Sequence, residues 1–209
     1  MPVTPSPYGV CVGSDNPSGA DNQQERPSSS AWLDAIPHDL GHYIAGFVDG
    51  EGSFNVPIRR ERDRGLPFRV SVSFNVSQIG PEAPELLRRI FGVGTVRGRG
   101  DGVFYFEVTK PADLVERVFP FFDRFELRGP KAGDLAVLRQ ITELVRSGRH
   151  LTSQGIGAIL ALRGPMNRGG KRRRSDDEII AALRDWESSE AIRRAPSLKP
   201  RDEDMVHAS

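Results

Sequence analysis

Two carboxylates lie among glycines in residues 40–54, LGHYIAGFVDGEGSF. Asp49 and Glu51 follow an apolar segment with helical spacing, and Gly50 and Gly52 are placed to end that helix. The C-terminus of a helix carries partial negative charge, so acidic residues are unfavourable there and cations are expected. A divalent metal ion would neutralise both the carboxylates and the exposed carbonyls. The alternative is a solvated acidic turn, and these residues alone leave both interpretations open.

The segment before the carboxylates predicts an amphipathic helix. Asp39 is placed to cap its first turn. Gly46 lies in its middle, where glycine costs about 1 kcal/mol relative to alanine, so we expect another backbone to pass close to it. His38 and His42 are four residues apart, but without a third His or Cys nearby we expect them to start the helix rather than bind zinc. The apolar face consists of Leu40, Tyr43, Ile44, Phe47 and Val48.

Alternating apolar and polar residues follow the helix and predict strands. Residues 53–60 and 68–78 form one predicted hairpin, and residues 95–99 and 103–109 form another. Further helices are predicted at residues 84–91, 112–122 and 131–147. The order αββαββαα predicts an α+β domain with a four-stranded sheet.

Composition divides the chain into three parts. Residues 1–37 are predicted to be a disordered leader, because residues 1 to about 30 are rich in Ser, Pro, Gly, Asn and Gln. Residues 31–36 could form one helical turn before Pro37. Residues 38–147 form the predicted domain, and residues 148–209 form a helical, partly basic C-terminal extension. The formal net charge is only +1, but residues 38–170 hold 19 Lys and Arg against 15 Asp and Glu. This modest excess favours an anionic partner.

Cellular location is constrained by what the sequence lacks. Cys11 is the single cysteine, which excludes an internal disulfide and a thiolate metal cluster. No apolar run approaches the length of a membrane span, and no signal peptide is visible. We therefore expect a protein of the cytoplasm, with access to the nucleoid, or of an organellar matrix, that is not secreted and does not bind membranes.

Residues 44–54, IAGFVDGEGSF, resemble the LAGLIDADG motif of homing endonucleases. The similarity continues in VSQ at residues 76–78, FGVGTV at 91–96 and FPFFD at 119–123, and it covers residues 38–147. The motif occurs once, which resembles the single-motif type of the family. The resemblance implies the LAGLIDADG homing-endonuclease fold, with a saddle-shaped antiparallel sheet.

The resemblance also implies how the motif functions. In this family the motif helix packs against its twin across a two-fold axis, so the chain is expected to form a homodimer. Asp49 would tie down the end of the helix, whereas Glu51 and the Gly50 carbonyl would bind Mg²⁺ or another divalent cation. The predicted dimer interface consists of Ile44, Ala45, Gly46 and Phe47.

Further site residues follow from the same resemblance. Gln78 would orient water near the metal. Lys131 would stabilise the charge that develops during the reaction, and Arg128 is the alternative candidate for this role. The family's third basic pocket residue, which alignment places near Glu82, is not apparent in this sequence. The cationic cluster at residues 171–174 is expected to contact phosphates. The predicted DNA-reading face consists of Asn55, Arg59, Arg69, Ser71, Ser73, Asn75, Arg97, Arg99 and Tyr105.

The function implied is a site-specific DNA endonuclease. It would act as a Mg²⁺-dependent homodimer that makes double-strand breaks at a long, near-palindromic site in double-stranded DNA. The alternative is a non-cleaving member, either an intron maturase or a DNA-binding regulator, and a different class again is a purely structural α+β domain. The retained Glu51 favours the enzyme, because a regulator has no reason to keep a metal-binding carboxylate.

Overall fold

The computed structural model describes residues 31–61, 65–169 and 174–194. Its helices are α1 (Ala31–Asp34), α2 (His38–Glu51), α3 (Glu82–Phe91), α4 (Pro111–Asp113), α5 (Phe119–Arg124), α6 (Lys131–Arg146), α7 (Ser153–Arg163) and α8 (Asp176–Arg194). A π-helical segment, Leu114–Val118, joins α4 to α5, and short 3-10 turns occupy Arg149–Leu151 and Met166–Gly169. The strands are β1 (Gly52–Asn55), β2 (Ile58–Arg60), β3 (Phe68–Val70), β4 (Ser73–Ile79), β5 (Thr95–Gly98) and β6 (Val103–Val108).

Four of these strands form one antiparallel sheet in the order β1-β4-β6-β5. The register places Gly52 opposite Val76, Val76 opposite Phe106, and Phe106 opposite Val96. The predicted α+β class with a four-stranded antiparallel sheet is therefore confirmed.

The first predicted hairpin is bent rather than continuous. Its outer part, β2 and β3, forms a separate two-stranded sheet in which Arg59 lies opposite Arg69. The break falls at Pro57, which has no N–H to donate to a ladder. The Pro57 carbonyl instead accepts a hydrogen bond from the Ser71 N–H at 3.1 Å, and this contact holds the bend.

Phenylalanine rings fill the space between the sheet and its helices. Phe74 of β4 contacts Phe54, Phe91 and Phe122, with ring centroids 5.1, 5.8 and 5.9 Å apart. All four rings are buried, and each such ring removes a large apolar area from water. The helices therefore cover one face of the sheet, and strand alternation turns the polar side chains to the opposite face.

Both ends of the domain differ from the prediction. Leu33 and Ile36 pack into the core, and the Arg124 guanidinium bonds the Leu33 carbonyl at 3.2 Å and the Asp34 carboxylate at 2.6 Å. The helical turn expected at residues 31–36 is therefore present and packs on the domain, and residues 1–30 of the predicted leader lie outside the described residues. The extension is not separate either, because its apolar residues Ile156, Ile159, Leu160, Ile179 and Leu183 join the same core.

Two smaller findings concern the helices. The motif helix α2 begins at His38, so Asp39 lies within its first turn, and the N-cap residue is Pro37, without a side-chain hydrogen bond. In the part of the chain that the structure describes, no helix has the combined length and apolar character needed to cross a lipid bilayer.

Candidate active site and DNA-binding face

Glu51 is presented outward at the junction between α2 and β1. The next residue, Gly52, is extended with φ −75° and ψ 161°, and its N–H donates to the Val48 carbonyl. A Cβ atom at Gly52 would lie 2.6 Å from Val48 Cγ1 and 2.7 Å from its carbonyl oxygen, so this direct turn from helix to strand requires glycine. Glu51 is exposed, and its carboxylate makes no hydrogen bond or ion pair with any other described residue.

Asp49 has a different environment. Its Oδ2 accepts hydrogen bonds from the backbone N–H groups of Arg128 at 2.8 Å and Gly129 at 2.9 Å. A Cβ atom at Gly129 would lie 3.0 Å from Asp49 Oδ1, so a side chain there would crowd this approach. The contacts clamp the end of α2 to the loop that precedes α6, and they support a structural role for Asp49.

The same clamp places the other predicted catalytic residues. Lys131 is the first residue of α6, two positions after Gly129, so the start of α6 lies beside the end of α2. Arg128 is exposed and belongs to the loop that precedes α6. Both candidate basic residues, Lys131 and Arg128, therefore lie at this corner of the molecule, where the end of α2 meets the start of α6. Strand β4 runs antiparallel to β1, and Val76 lies opposite Gly52, the first residue of β1. Gln78, two residues further along β4, therefore extends beyond the N-terminal end of β1 and lies next to the end of α2.

The donor atoms at this corner fit a hard divalent cation. Glu51 and the last carbonyls of α2 provide oxygen atoms, which Mg²⁺ and Ca²⁺ prefer. Among the described residues, however, no three His, Cys, Asp or Glu side chains converge on one site. The described residues of one copy would therefore supply only part of a coordination shell. His38 and His42 lie in the first turns of α2, as expected. The centroids of their rings lie 5.8 and 5.4 Å, respectively, from the centroid of the Phe125 ring.

The predicted interface residues of α2 divide between two faces. Ile44 and Ala45 are only 0% and 3% exposed, so they pack in the core of the chain itself and their prediction as interface residues is wrong. The helical period instead turns Tyr43, Gly46, Phe47 and Gly50 outward. Tyr43 is 59% exposed and stacks on Phe47, with ring centroids 6.3 Å apart. We call these four residues the outer face of α2.

The polar face of the four-stranded sheet contains most of the predicted DNA-reading residues. Cross-strand register aligns Asn55 with Ser73, Ser77 with Tyr105, and Tyr105 with Arg97. Arg99 follows directly after β5, whereas Arg59, Arg69 and Ser71 belong to the bent outer hairpin and its junction. Ser73 is only 6% exposed, so its prediction as a direct DNA contact is wrong in this conformation.

Two arginines on this face have side-chain partners. The Arg97 guanidinium forms an ion pair with the Glu107 carboxylate, in which Arg97 Nη2 lies 2.5 Å from Glu107 Oε2. Arg99 Nη1 donates to the Tyr105 hydroxyl at 2.7 Å, and its Nη2 lies 3.2 Å from an Asp101 oxygen. The hydrogen bond to Tyr105, followed by the charge of Asp101, raises the pKa of Arg99 above its ordinary value. Sequence reasoning did not select Glu107, although its alternation with Tyr105 places it on this face.

The C-terminal extension reaches the edge of the polar face. Asn167 Nδ2 donates to the Phe54 carbonyl at 3.0 Å, and the Asn167 N–H donates to Asp134 Oδ1 at 2.9 Å. Arg163 is buried, and its Nη1 donates to the Val56 carbonyl at 3.0 Å. These residues therefore bond carbonyls of the edge strand β1 and of Val56, which directly follows it, and no local sequence pattern predicted these contacts.

A cavity of about 760 Å³ lies between this C-terminal segment and the polar face. Arg174 borders it and is exposed. The remainder of the predicted cationic cluster, residues 171–173, lies outside the described residues.

The fold and this corner correspond to a known class of nuclease. A family model described as LAGLIDADG endonuclease matches residues 44–142, which include the C-terminal half of α2, the whole four-stranded sheet and most of α6. The chain belongs to the LAGLIDADG homing endonuclease family.

Individual relatives differ in length from this chain. "Probable intron-encoded endonuclease 3" of Neurospora crassa is 27% identical over 129 residues, which cover 60% of this chain and 24% of the relative. The solved structure of the homing endonuclease I-TnaI is 29% identical with a TM-score of 0.60, and the match covers 70% of this chain and 97% of that one.

Structures of the meganuclease I-SmaMI also match. One is bound to uncleaveable DNA and is 27% identical with a TM-score of 0.60, over 68% of this chain and 48% of that one. Another is bound to an uncleaved DNA target in the presence of calcium ions and is 29% identical with a TM-score of 0.57, over 61% of this chain and 44% of that one. This chain thus spans about a quarter of the curated relative and about half of I-SmaMI.

Proposed function

We propose that this chain is a homing endonuclease that acts as a homodimer and cuts both strands of DNA in a reaction that requires a divalent metal ion. The observation that carries the proposal is the position of Glu51. Its carboxylate lies at the end of α2, next to the outer face of that helix, and has no partner within the described residues. Pairing two copies of α2 through that face would bring two such carboxylates together.

The glycines of α2 support this pairing. A Cβ atom at Gly41 would lie 2.3 Å from the Phe125 ring, and Gly52 is required by its contact with Val48, so both are explained within the chain. A Cβ atom at Gly46 or Gly50 would meet nothing within 4 Å. These two glycines lie on the outer face beside exposed Tyr43, where a second helix could approach closely. A two-fold dimer uses the same face on both subunits, as this arrangement requires.

The chemistry proposed for the site is hydrolysis of a phosphodiester. Glu51 and the Gly50 carbonyl would hold the cation, and the I-SmaMI complex with calcium ions supports a divalent metal, for which Mg²⁺ is our choice. When bound, such a cation lowers the pKa of water and neutralises charge on the phosphoryl oxygens. Gln78 would orient the attacking water, and Lys131, or Arg128 from the same loop, would stabilise the negative charge that develops on the phosphate.

DNA would lie along the polar face of the sheet. The major groove of B-form DNA is wide enough for a two-stranded β-ribbon, and arginine can bond both acceptors of guanine there. Arg97 and Arg99 would therefore read bases, while the exposed cations of the outer hairpin and Arg174 would contact phosphates. Because two identical subunits would bind, the preferred site should be near-palindromic.

A second candidate, a DNA-binding regulator that does not cleave, is favoured by Glu82. This exposed carboxylate begins α3, near the position where the family resemblance predicts a basic pocket residue. The two candidates share DNA binding and dimerisation and differ only in strand cleavage.

The test uses the full chain and a target selected from random DNA. We expect the native protein with Mg²⁺ to convert a supercoiled plasmid carrying that target to linear DNA, and chelation by EDTA to stop the reaction. Glu51→Gln should bind the same target with unchanged affinity and leave the plasmid intact, because it removes the charge and keeps the shape. Glu126→Gln, which neutralises another exposed carboxylate, is the control and should cleave normally.

The outcomes separate the candidates. Specific binding without cleavage by the native protein would identify the regulator. Cleavage by Glu51→Gln at the native rate would remove Glu51 from the proposed site.

A further inference from the structure

Glu107 is an acidic residue on a surface that is proposed to face DNA. In the four strands of the sheet as the structure describes them, it is the only acidic residue. Its register partners are Asn75 on β4 and Thr95 on β5, both of which are polar, so its carboxylate lies in the middle of the polar face. Arg97 is aligned with Tyr105, two residues before Glu107, and therefore reaches the carboxylate diagonally across the β5–β6 pair.

A carboxylate in this position has an electrostatic cost. DNA binding gains affinity from each cation that neutralises a phosphate, and an anion on the same surface lowers affinity for every sequence. Charge alone therefore gives no reason for Glu107 on this face. Its effect must lie in discrimination between sequences if it contributes to recognition.

The geometry of the ion pair indicates how discrimination would arise. The Glu107 side chain is 27% exposed and the Arg97 side chain is 69% exposed, so the carboxylate lies deeper and the guanidinium projects outward. Glu107 occupies one amino group of the guanidinium, at Nη2. The guanidinium has five N–H donors in a rigid planar fork, so donors remain for a base.

We propose that Glu107 is a specificity-determining positioning residue that fixes the Arg97 guanidinium against guanine, so that the pair selects one G·C base pair in each half-site. This inference rests on the proposed recognition of DNA by the polar face. An arginine that is already oriented loses less conformational freedom on binding. Guanine presents two acceptors to it, whereas adenine presents a donor at N6 that opposes its N–H groups.

Glu107 would also penalise the wrong base pair. If Arg97 turned away from an unsuitable base toward a phosphate, the Glu107 carboxylate would be left unpaired against the duplex. An ionised group that loses its partner on desolvation is strongly unfavourable. The ion pair thus restricts Arg97 to its base-reading orientation.

The test compares Glu107→Gln with a matched variant. Glu85 forms an ion pair of the same kind with Arg88, at 2.8 Å, on α3, which lies on the helix-covered side of the sheet. Binding of full-length protein is measured by fluorescence anisotropy against the selected target and against single substitutions at each position. We expect Glu107→Gln to reduce discrimination at one position in each half-site by at least about fivefold and to raise affinity for unrelated DNA. Glu85→Gln should change neither, and circular dichroism would confirm that both variants are folded.

A second comparison tests the dependence on Arg97. In an Arg97→Ala background, discrimination at that position should already be lost, so adding Glu107→Gln should produce no further change. A shift in preference that persists without Arg97 would overturn the positioning role.

The remaining outcomes also decide the inference. If Glu107→Gln strengthens binding to all sequences equally and keeps the native base preference, Glu107 contributes only charge and the inference fails while DNA recognition stands. If the native protein itself shows no preference among sequences, recognition by the polar face fails, and this inference fails with it.

Discussion

Substitution of Gly46 by alanine gives a stability change whose sign depends on whether α2 pairs with a second copy. In an isolated chain the added methyl group meets nothing within 4 Å. Alanine is favoured over glycine inside a helix by about 0.8–1.0 kcal/mol, so Gly46→Ala should stabilise a monomer by about that amount. Gly133 on α6 also has nothing within 4 Å of a Cβ atom, and Gly133→Ala provides the matched control.

A dimer that crosses at Gly46 reverses this sign. The methyl group would then enter a close helix contact, and overpacking of this kind costs about 1–3 kcal/mol per site. A two-fold interface contains the substitution twice, which gives about 2–6 kcal/mol. Since about 1.4 kcal/mol corresponds to a tenfold change, the dissociation constant of the dimer should rise by about thirtyfold to twenty-thousandfold.

The assay is sedimentation equilibrium over a range of protein concentrations, with urea unfolding of the same samples. The native protein and Gly133→Ala should dissociate at similar low concentrations, and Gly46→Ala should be monomeric at concentrations where both are dimers. If Gly46→Ala is dimeric with the native dissociation constant and is as stabilised as Gly133→Ala, close crossing at Gly46 is refuted. A native protein that stays monomeric at micromolar concentration, with and without DNA, would refute the homodimer itself.

Three further predictions concern the clamp, the reading face and the extension. Asp49→Ala removes the acceptor of the Arg128 and Gly129 N–H groups. Each hydrogen bond to a charged group contributes about 1.5–3 kcal/mol, so the loss of two should lower the free energy of unfolding in urea by about 3–6 kcal/mol. Arg97→Ala should cost about 1–3 kcal/mol in binding to the selected target and little with unrelated DNA, measured by anisotropy; equal losses for all sequences would contradict base reading. Asn167 has φ 52°, so Asn167→Ala adds about 1–2 kcal/mol of left-handed strain that Asn167→Gly avoids, and the glycine variant should melt at the higher temperature in calorimetry.

Local patterns predicted most of the fold because its elements have clear periods. The motif helix, the four strands of the main sheet and the long helix α6 follow spacings of 3.6 or 2 that are visible in the sequence. The bend at Pro57 was missed because alternation continues across it, from Phe54 and Val56 to Ile58. Only the missing N–H of proline marks that break, and its effect depends on the Ser71 contact from the other strand.

The candidate site was less predictable because its contacts join distant residues. Asn167 lies 113 residues from Phe54, and Arg163 lies 107 residues from Val56, so no window along the chain contains both members of either pair. The misassigned interface residues Ile44 and Ala45 have a different cause. A motif identifies a helix without stating which of its faces turns toward the chain's own core.

The two carboxylates of the motif illustrate how the fold separates residues that the sequence leaves equivalent. Both lie where the helix dipole disfavours negative charge. Asp49 is compensated by two backbone N–H groups from a loop 79 and 80 residues further along the chain. Glu51 receives no such donor from the described residues and is exposed at the same helix end. Within the described residues the charge of Asp49 is therefore offset at Oδ2, while its buried Oδ1 has no hydrogen-bond partner. For Glu51 we propose that an external cation supplies the missing positive charge.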